Sequence, residues 1–297
     1  MPLRFALAAA LLASLFFAGE TARAQERSIP PIAENMAAQD TSEPIEPKEK
    51  IELFNGKNLD GLVGWMQQTG YEGEGKEYSA VDGTIRIAGG DNGYLRTAKK
   101  YKNYHVSVEF KWGTERTNMS RYVRNSGLLL HGTGIDGGSS NGAWMPSIEI
   151  QLAQGCEGDI ICIGGKGKDG EPIRAAATGL MKNGGDNKPR WNPTEGTETK
   201  SSGKQLWWSK HQEGFRELLD TRGEHDVASP YGEWTKVECI CWEDTITVKV
   251  NGETVNQVYD VQPASGYILL ENEKYEVFFR NFELKPVAEA DRFTGKE

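Results

Sequence analysis

The chain has 297 residues, a formal charge of −9 at pH 7, 35 glycines, eight tryptophans and four cysteines. An acidic surface argues against nucleic acid or an anionic membrane as partner and is compatible with a neutral sugar ligand. Past the first two dozen residues no stretch is apolar enough to span a bilayer as a helix.

Residues 1–24 read as an export leader: Arg4 supplies the positive end, Leu7 to Phe17 the apolar run, and Ala22-Arg23-Ala24 a small-x-small cleavage site before Gln25. An uncleaved anchor is the alternative, but the run is shorter than the ~20 residues a spanning helix needs. The expectation is a secreted or periplasmic protein with no membrane anchor after cleavage. Loss of Arg4, Arg23 and Glu20 with the leader makes the mature chain one unit more negative. Residues 25–50 hold Pro30, Pro31, Pro44 and Pro47 among Glu, Ala and Ser/Thr, with no aromatic residue. Such a segment buries too little apolar surface to offset its ordering entropy and reads as a flexible linker. Residues 51–287 suit one β domain, and 288–297 a polar tail.

In chain order, Asp82-Gly83 marks a hairpin turn before Thr84-Ile-Arg-Ile87. Tyr104, Val106, Val108, Phe110 and Trp112 alternate with His105, Ser107, Glu109 and Lys111, the period of a half-buried strand. Asn125-Ser-Gly-Leu-Leu-Leu-His-Gly132 is a short apolar run that ends in a histidine. In Ser147 to Leu152, Ile148, Ile150 and Leu152 oppose Ser147, Glu149 and Gln151. Adjacent strands would then carry His131 and Glu149 onto one polar face. Gly214 to Leu219 is the best short helical candidate. Thr245-Ile-Thr-Val-Lys-Val250 alternates and is followed by Asn251-Gly252, the strongest short hairpin signal. Gly266 to Glu271 reads as a strand, and Tyr275 to Leu284, apolar on both faces, as a central one. Many strands, many glycines and little helical periodicity point to an all-β, antiparallel sandwich of jelly-roll type.

Cys156 and Cys162 close a short loop, and export permits a disulfide between them. Cys239 and Cys241 point to one face of a strand, which leaves buried thiols or cross-strand bridging. A four-thiolate zinc site is disfavoured, because neither pair has the usual spacing. Gly132 to Pro146, which includes Trp144, and Lys182 to about Gly232 are longer than ordinary connections, and such loops are usually functional or disordered. The second holds Trp191, Trp207, Trp208, His211, Arg216, Arg222 and His225. There is no G-x-S-x-G, P-loop, H-E-x-x-H or EF-hand pattern. Gly164 to Gly170 looks phosphate-like but lacks the spacing and reads as a turn.

An ordered set of short motifs narrows the choice. Leu53-Phe-Asn-Gly-Lys-Asn-Leu-Asp-Gly61 with Trp65, then Asp82-Gly83, Gly93 to Thr97, Tyr101 to Phe110, Asn125-Ser126-Gly127 and Glu149-x-Gln151 resemble the 3-keto-disaccharide hydrolase domain family, formerly a domain of unknown function. Gly232-Glu-Trp234, Val250-Asn-Gly252, Gly266 to Glu271 and Phe279 to Leu284 follow in the same order. The similarity spans about residues 51–287. Departures mark a subgroup: His131 stands where many members have Arg, Thr235 where many have Asn, and Glu271 where many have Gln. No Asp follows the Glu-x-Gln pair.

The resemblance implies a concanavalin A-like (lectin/glucanase) jelly roll that acts on glycosides oxidised at C3. A C3 ketone acidifies the C2 proton, so a base removes it and the C1 group leaves by elimination; water then adds, or does not. That chemistry needs a base, an acid for the leaving oxygen, and positive charge at the enolate. Glu149 and His131 are nominated as base and partner, in either order, with His225 entering from its loop. Asn125, Gln151, Trp144, Trp207 and Arg216 are nominated to bind sugar. The cofactor is open: a divalent metal held by His131, Glu149 and a loop ligand suits enolate chemistry. A non-catalytic carbohydrate-binding module on the same fold is the competing reading. An ordinary glucanase would want a second carboxylate at the spacing of that class, for which no motif is present.

Overall fold

The computed structural model describes residues 42–71, 76–116 and 122–295. The expected leader and most of the expected linker lie outside those residues. Two antiparallel sheets pack face to face in a jelly-roll sandwich. The smaller has six strands in the order β2 (Leu62–Met66), β5 (Asn92–Thr97), β18 (Tyr267–Glu273), β7 (Gly127–Gly132), β8 (Ser147–Gln151), β9 (Ile160–Ile163). The larger runs β13 (Pro189–Trp191), β12 (Ala176–Asn183), β17 (Glu253–Gln262), β16 (Thr245–Val250), β15 (Thr235–Trp242), β6 (Tyr104–Arg116), β19 (Tyr275–Pro286), β4 (Thr84–Ile87), β3 (Tyr78–Val81). Short strands β1 (Ile51–Glu52) and β14 (Thr197–Ser201) flank it, and β10 (Gly165–Lys166) pairs with β11 (Pro172–Ile173) apart from both sheets.

Alternation sets the core. Tyr104, Val106, Val108 and Phe110 of β6 are buried against Leu128, Leu130, Ile148, Ile150, Ile268 and Leu270 of the smaller sheet. β19 lies between β6 and β4, so the strand apolar on both faces is central. Both foreseen hairpins are present: Asp82 and Gly83 have φ of 48° and 75°, and Asn251 and Gly252 have φ of 48° and 85°. Positive φ at both central residues fits the right-handed twist of the flanking strands.

Three expectations change. Gly214 to Leu219 forms turns, not a helix. The linker's last residues are already docked: the Ile45 N–H donates to the Lys100 carbonyl at 2.8 Å, and the Lys102 N–H to the Ile45 carbonyl at 3.0 Å. Ile45 packs against the core and Pro47 is buried, so the domain starts before residue 51. The C-terminal tail also docks, with a 3-10 turn at Glu289–Asp291, Arg292 4.0 Å over the Trp242 ring, and the Phe293 carbonyl accepting from Thr245 Oγ1.

Candidate active site

The outer face of the smaller sheet gathers a group of buried acids. Pairing sets Leu129 of β7 opposite Glu149 of β8, and Glu271 of β18 opposite Tyr94 of β5. Between the two acids lies Gly127. A Cβ there would fall 2.6 Å from Glu271 Oε2 and 3.1 Å from Glu149 Cγ, so only glycine lets these carboxyls approach across the strand. Two residues on from Glu271, at the strand period, Glu273 reaches the same face and accepts a hydrogen bond from the Asn125 side-chain amide. Glu149 is 5% and Glu271 1% exposed.

Burial governs the protonation of these acids. Burial, then the charges of Glu273 and Asp159, push Glu149 up to about 8. Burial pushes Glu273 up to about 7, against the pull of Lys274 and Asn125. Glu271 is raised well above the ordinary carboxylate value by burial, Glu149 and Glu273, and its Oε2 has no hydrogen-bond partner. No ion pair joins any of the three to a cation among the described residues.

Glu149 opens into a cleft of about 630 Å³ bounded by Ser139, Asn141, Trp144, Ile161 and Lys166. The wall formed by residues 133–146 is held to the sheet through a buried knot. Arg96 donates to the Asp136 carboxylate at 3.0 Å and 3.3 Å, the Tyr94 hydroxyl donates to it at 2.8 Å, and Tyr71 also bonds to it. Arg96 stacks 4.5 Å over Tyr267, and Trp65 stacks on Tyr94. Ala143, Trp144 and Met145 then pack on Leu129 and Leu269.

The structure separates several residues that alternation had grouped. Pairing slips by one residue where Gly132 and Leu129 of β7 meet Tyr267 and Leu269 of β18, and His131 takes φ 58° in that bulge. A bulge re-aims its side chain. The His131 ring therefore lies between the sheets, edge-on to Tyr104 at 5.7 Å, with Nδ1 2.8 Å from the Pro263 carbonyl. Burial pulls its pKa down to about 4. It is no partner of Glu149, and the metal set built on both residues falls with it.

Asn125 stands beside Glu273, and Trp144 lines the cleft. The Gln151 side-chain oxygen Oε1 is taken by the backbone N–H groups of Leu152 and Ala153. Trp207 packs on Val123, Ala153 and Cys156. Arg216 and His225 are exposed on the loop after Trp208 and line no part of the cleft. Cys156 and Cys162 are separate buried thiols, not a disulfide. Cys162 sits in the inter-sheet core, whereas Cys156 lies against His211. Cys239 and Cys241 are also free and buried. Arg124, held by Asp220 and the Gly113 carbonyl, is engaged in structure.

Sequence reasoning missed Glu271 and Glu273 as site residues. The signal was present: Tyr267, Leu269, Glu271 and Glu273 share one face at period two, and the acids continue a row begun by apolar residues. Asp136 carried no such signal, because its partners Arg96, Tyr94 and Tyr71 come from distant strands and loops.

A two-sheet antiparallel jelly roll with buried acids on an outer sheet face is a β-sandwich of the kind shared by lectins and glucanases. The chain belongs to the 3-keto-alpha-glucoside-1,2-lyase-like domain family, whose model matches residues 49–285. That membership places it among carbohydrate-active proteins. No curated protein matches it. Among solved structures, it is similar to a protein from Parabacteroides distasonis provisionally named a glycosyl hydrolase, with 16% identity and a TM-score of 0.46 over 81% of this chain and 94% of that one. It is also similar to a Bacillus licheniformis β-glucanase, with 10% identity and a TM-score of 0.35 over 72% and 84%. A carbohydrate-binding module from Bacillus subtilis gives 7% identity and a TM-score of 0.36 over 67% and 85%.

Proposed function

We propose that the protein is an exported enzyme that cleaves 3-keto-glycosides by elimination at C1–C2. The observation that carries this reading is the pair Glu149 and Glu273, two buried carboxyls raised toward neutrality with no cation paired to them. Two such groups hold one proton between them at the pH where they work, so one acts as base while the other acts as acid. Glu149 is assigned the base because it lines the cleft, and Glu273 the acid; the working form is the minor one in which the proton they share sits on Glu273 and leaves Glu149, the more basic carboxylate, free to take the C2 hydrogen.

Glu149 takes the C2 hydrogen, and the C–H electron pair forms the enolate of the C3 ketone. Collapse of the enolate makes the C1–C2 double bond and expels the C1 oxygen, which receives the proton from Glu273. The products are an unsaturated 3-keto sugar and the free alcohol. Later addition of water across the double bond gives the hydrolysis product. Lys166 is the cation of the cleft lining and supports the enolate charge. Trp144 and Asn141 offer a ring edge and an amide to the sugar.

The test is incubation of the protein with 3-keto-glycosides and with the matching unoxidised glycosides, following the released alcohol and any enone absorbance. Release from the oxidised set alone supports the reading. Release from the unoxidised set alone overturns it, and sugar binding without turnover in either set assigns a binding module instead.

A further inference from the structure

A second constellation lies away from the cleft. Cys156 and Asp159 occupy the first and last positions of a tight turn after β8, where the Asp159 N–H donates to the Cys156 carbonyl at 3.0 Å. Gly158 at φ 98° permits that turn and brings the thiol and the carboxylate to one side. The segment after Leu206 returns over them. The Trp208 N–H donates to Asp159 Oδ1 at 2.6 Å and its indole to the Gly155 carbonyl at 3.1 Å, and His211 is placed against the pair. Cys156 Sγ, an Asp159 oxygen and a His211 ring nitrogen all lie within 4.8 Å of one another, and all three residues are buried.

We propose that Cys156, Asp159 and His211 form a binding site for a zinc-class divalent cation that staples the 206–220 segment to the β8–β9 turn. The geometry carries the assignment. With zinc bonds of about 2.3 Å to sulfur and about 2.05 Å to imidazole nitrogen, the S···N edge of a tetrahedron is about 3.6 Å. Cys156 Sγ and His211 Nε2 stand 3.7 Å apart. Thiolate, carboxylate and neutral imidazole form a donor set that selects zinc over calcium or magnesium. Thiolate and carboxylate together neutralise a divalent charge, which makes deep burial of the ion tolerable.

The surroundings agree. His211 Nε2 faces the thiol, and its Nδ1 lies 3.5 Å from Arg190 Nη2. Two cations stand near. Arg190 is neutralised by Asp186 through two 2.8 Å contacts, and Lys188 rests 3.8 Å over the Trp207 ring. Trp207, 4.4 Å from the imidazole, roofs the site. A water takes the fourth position, as in zinc sites with three protein ligands.

The experiment titrates the purified full chain with cobalt(II) and, separately, with zinc. One equivalent of cobalt is expected to give an intense tetrahedral visible spectrum and a near-ultraviolet thiolate-to-cobalt band, with zinc displacing it. The thiolate band disappears in Cys156→Ser, and zinc raises the melting temperature of the wild type but not of Cys156→Ser or His211→Gln. No stoichiometric binding by the wild type in metal excess, an octahedral spectrum without a thiolate band, or an unchanged spectrum in Cys156→Ser would each overturn the proposal. The wild-type spectrum decides the matter even if a variant does not fold.

Discussion

The outer faces of the two sheets treat charge in opposite ways. On the larger sheet, carboxylates are matched to cations: Glu109 with Arg280 at 2.7 Å, Glu276 with Arg86 at 2.6 Å, and Glu238 with Lys236 at 2.8 Å. On the smaller sheet, Glu149 and Glu271 face each other across Gly127, and Glu273 lies two residues further along the same face. A paired carboxylate stays ionised and makes a poor base or acid near neutrality. An unpaired buried one holds its proton until about neutral pH, as general acid–base work requires. On the proposed mechanism the working carboxylates are therefore the ones without a cation.

Glu149→Gln tests that contrast most strongly. The amide keeps the shape and removes the base, so turnover of a 3-keto-glycoside is expected to fall by about 10³-fold with the fold retained by circular dichroism. Full activity in that variant would remove Glu149 from the mechanism. Asp136→Asn comes next. It leaves the Arg96 guanidinium, buried at 2% exposure, without its counter-charge, at a cost of about 3–5 kcal/mol. A lowered melting temperature should accompany a raised KM as the 133–146 wall loosens; unchanged values of both would show that the knot does not hold the wall. Gly127→Ala forces a methyl between Glu149 and Glu271 and should cost about 1–3 kcal/mol in chemical denaturation, with activity reduced.

The pH dependence of stability separates the faces by sign. Glu149 in the folded state sits at about 8, above its ordinary 4.5, so the folded protein binds the extra proton. Its contribution is fully present below pH ~4.5 and is lost as pH rises through about 8, and each tenfold difference in proton affinity between folded and unfolded chains is worth about 1.4 kcal/mol. Glu238 is the opposite case. Burial pulls its pKa up, but the Lys236 hydrogen bond and charge and His105 outweigh that and set it below 4.5. Its contribution is present above ~4.5 and is lost as pH falls. Denaturant midpoints between pH 5 and 9 should therefore decline in the wild type and decline less in Glu149→Gln. The smallest effect is expected from Glu109→Gln on the larger sheet: at most about 1 kcal/mol, with activity unchanged. A large activity loss there would break the contrast.

Much of the fold was legible because its signals are local. Strict alternation in β6, β8 and β16, and Asp-Gly and Asn-Gly at the two hairpins, follow from the strand period and from turn sterics, neither of which needs a distant partner. Glu149 was legible for the same reason, since its neighbours Ile148 and Ile150 had to face the core. The inward turn of His131 was not legible, because it comes from a one-residue bulge set by pairing with Tyr267 and Leu269. No pattern within Asn125 to Gly132 reports that slip. The length of the 182–232 loop was visible, but not that His211 lands on Cys156, nor that Cys156 and Cys162 stand in different clusters as free thiols.

The sequence by itself therefore determined the strand period, the hairpins, the apolar faces and the family, all of which depend on residues near one another along the chain or on their order. Tertiary structure alone decided which acids meet, which histidine is buried and which thiol faces an imidazole. The last depends on a loop that returns 55 residues later; the first two depend on register between strands more than a hundred residues apart. A shift of one residue there exchanges the inside for the outside.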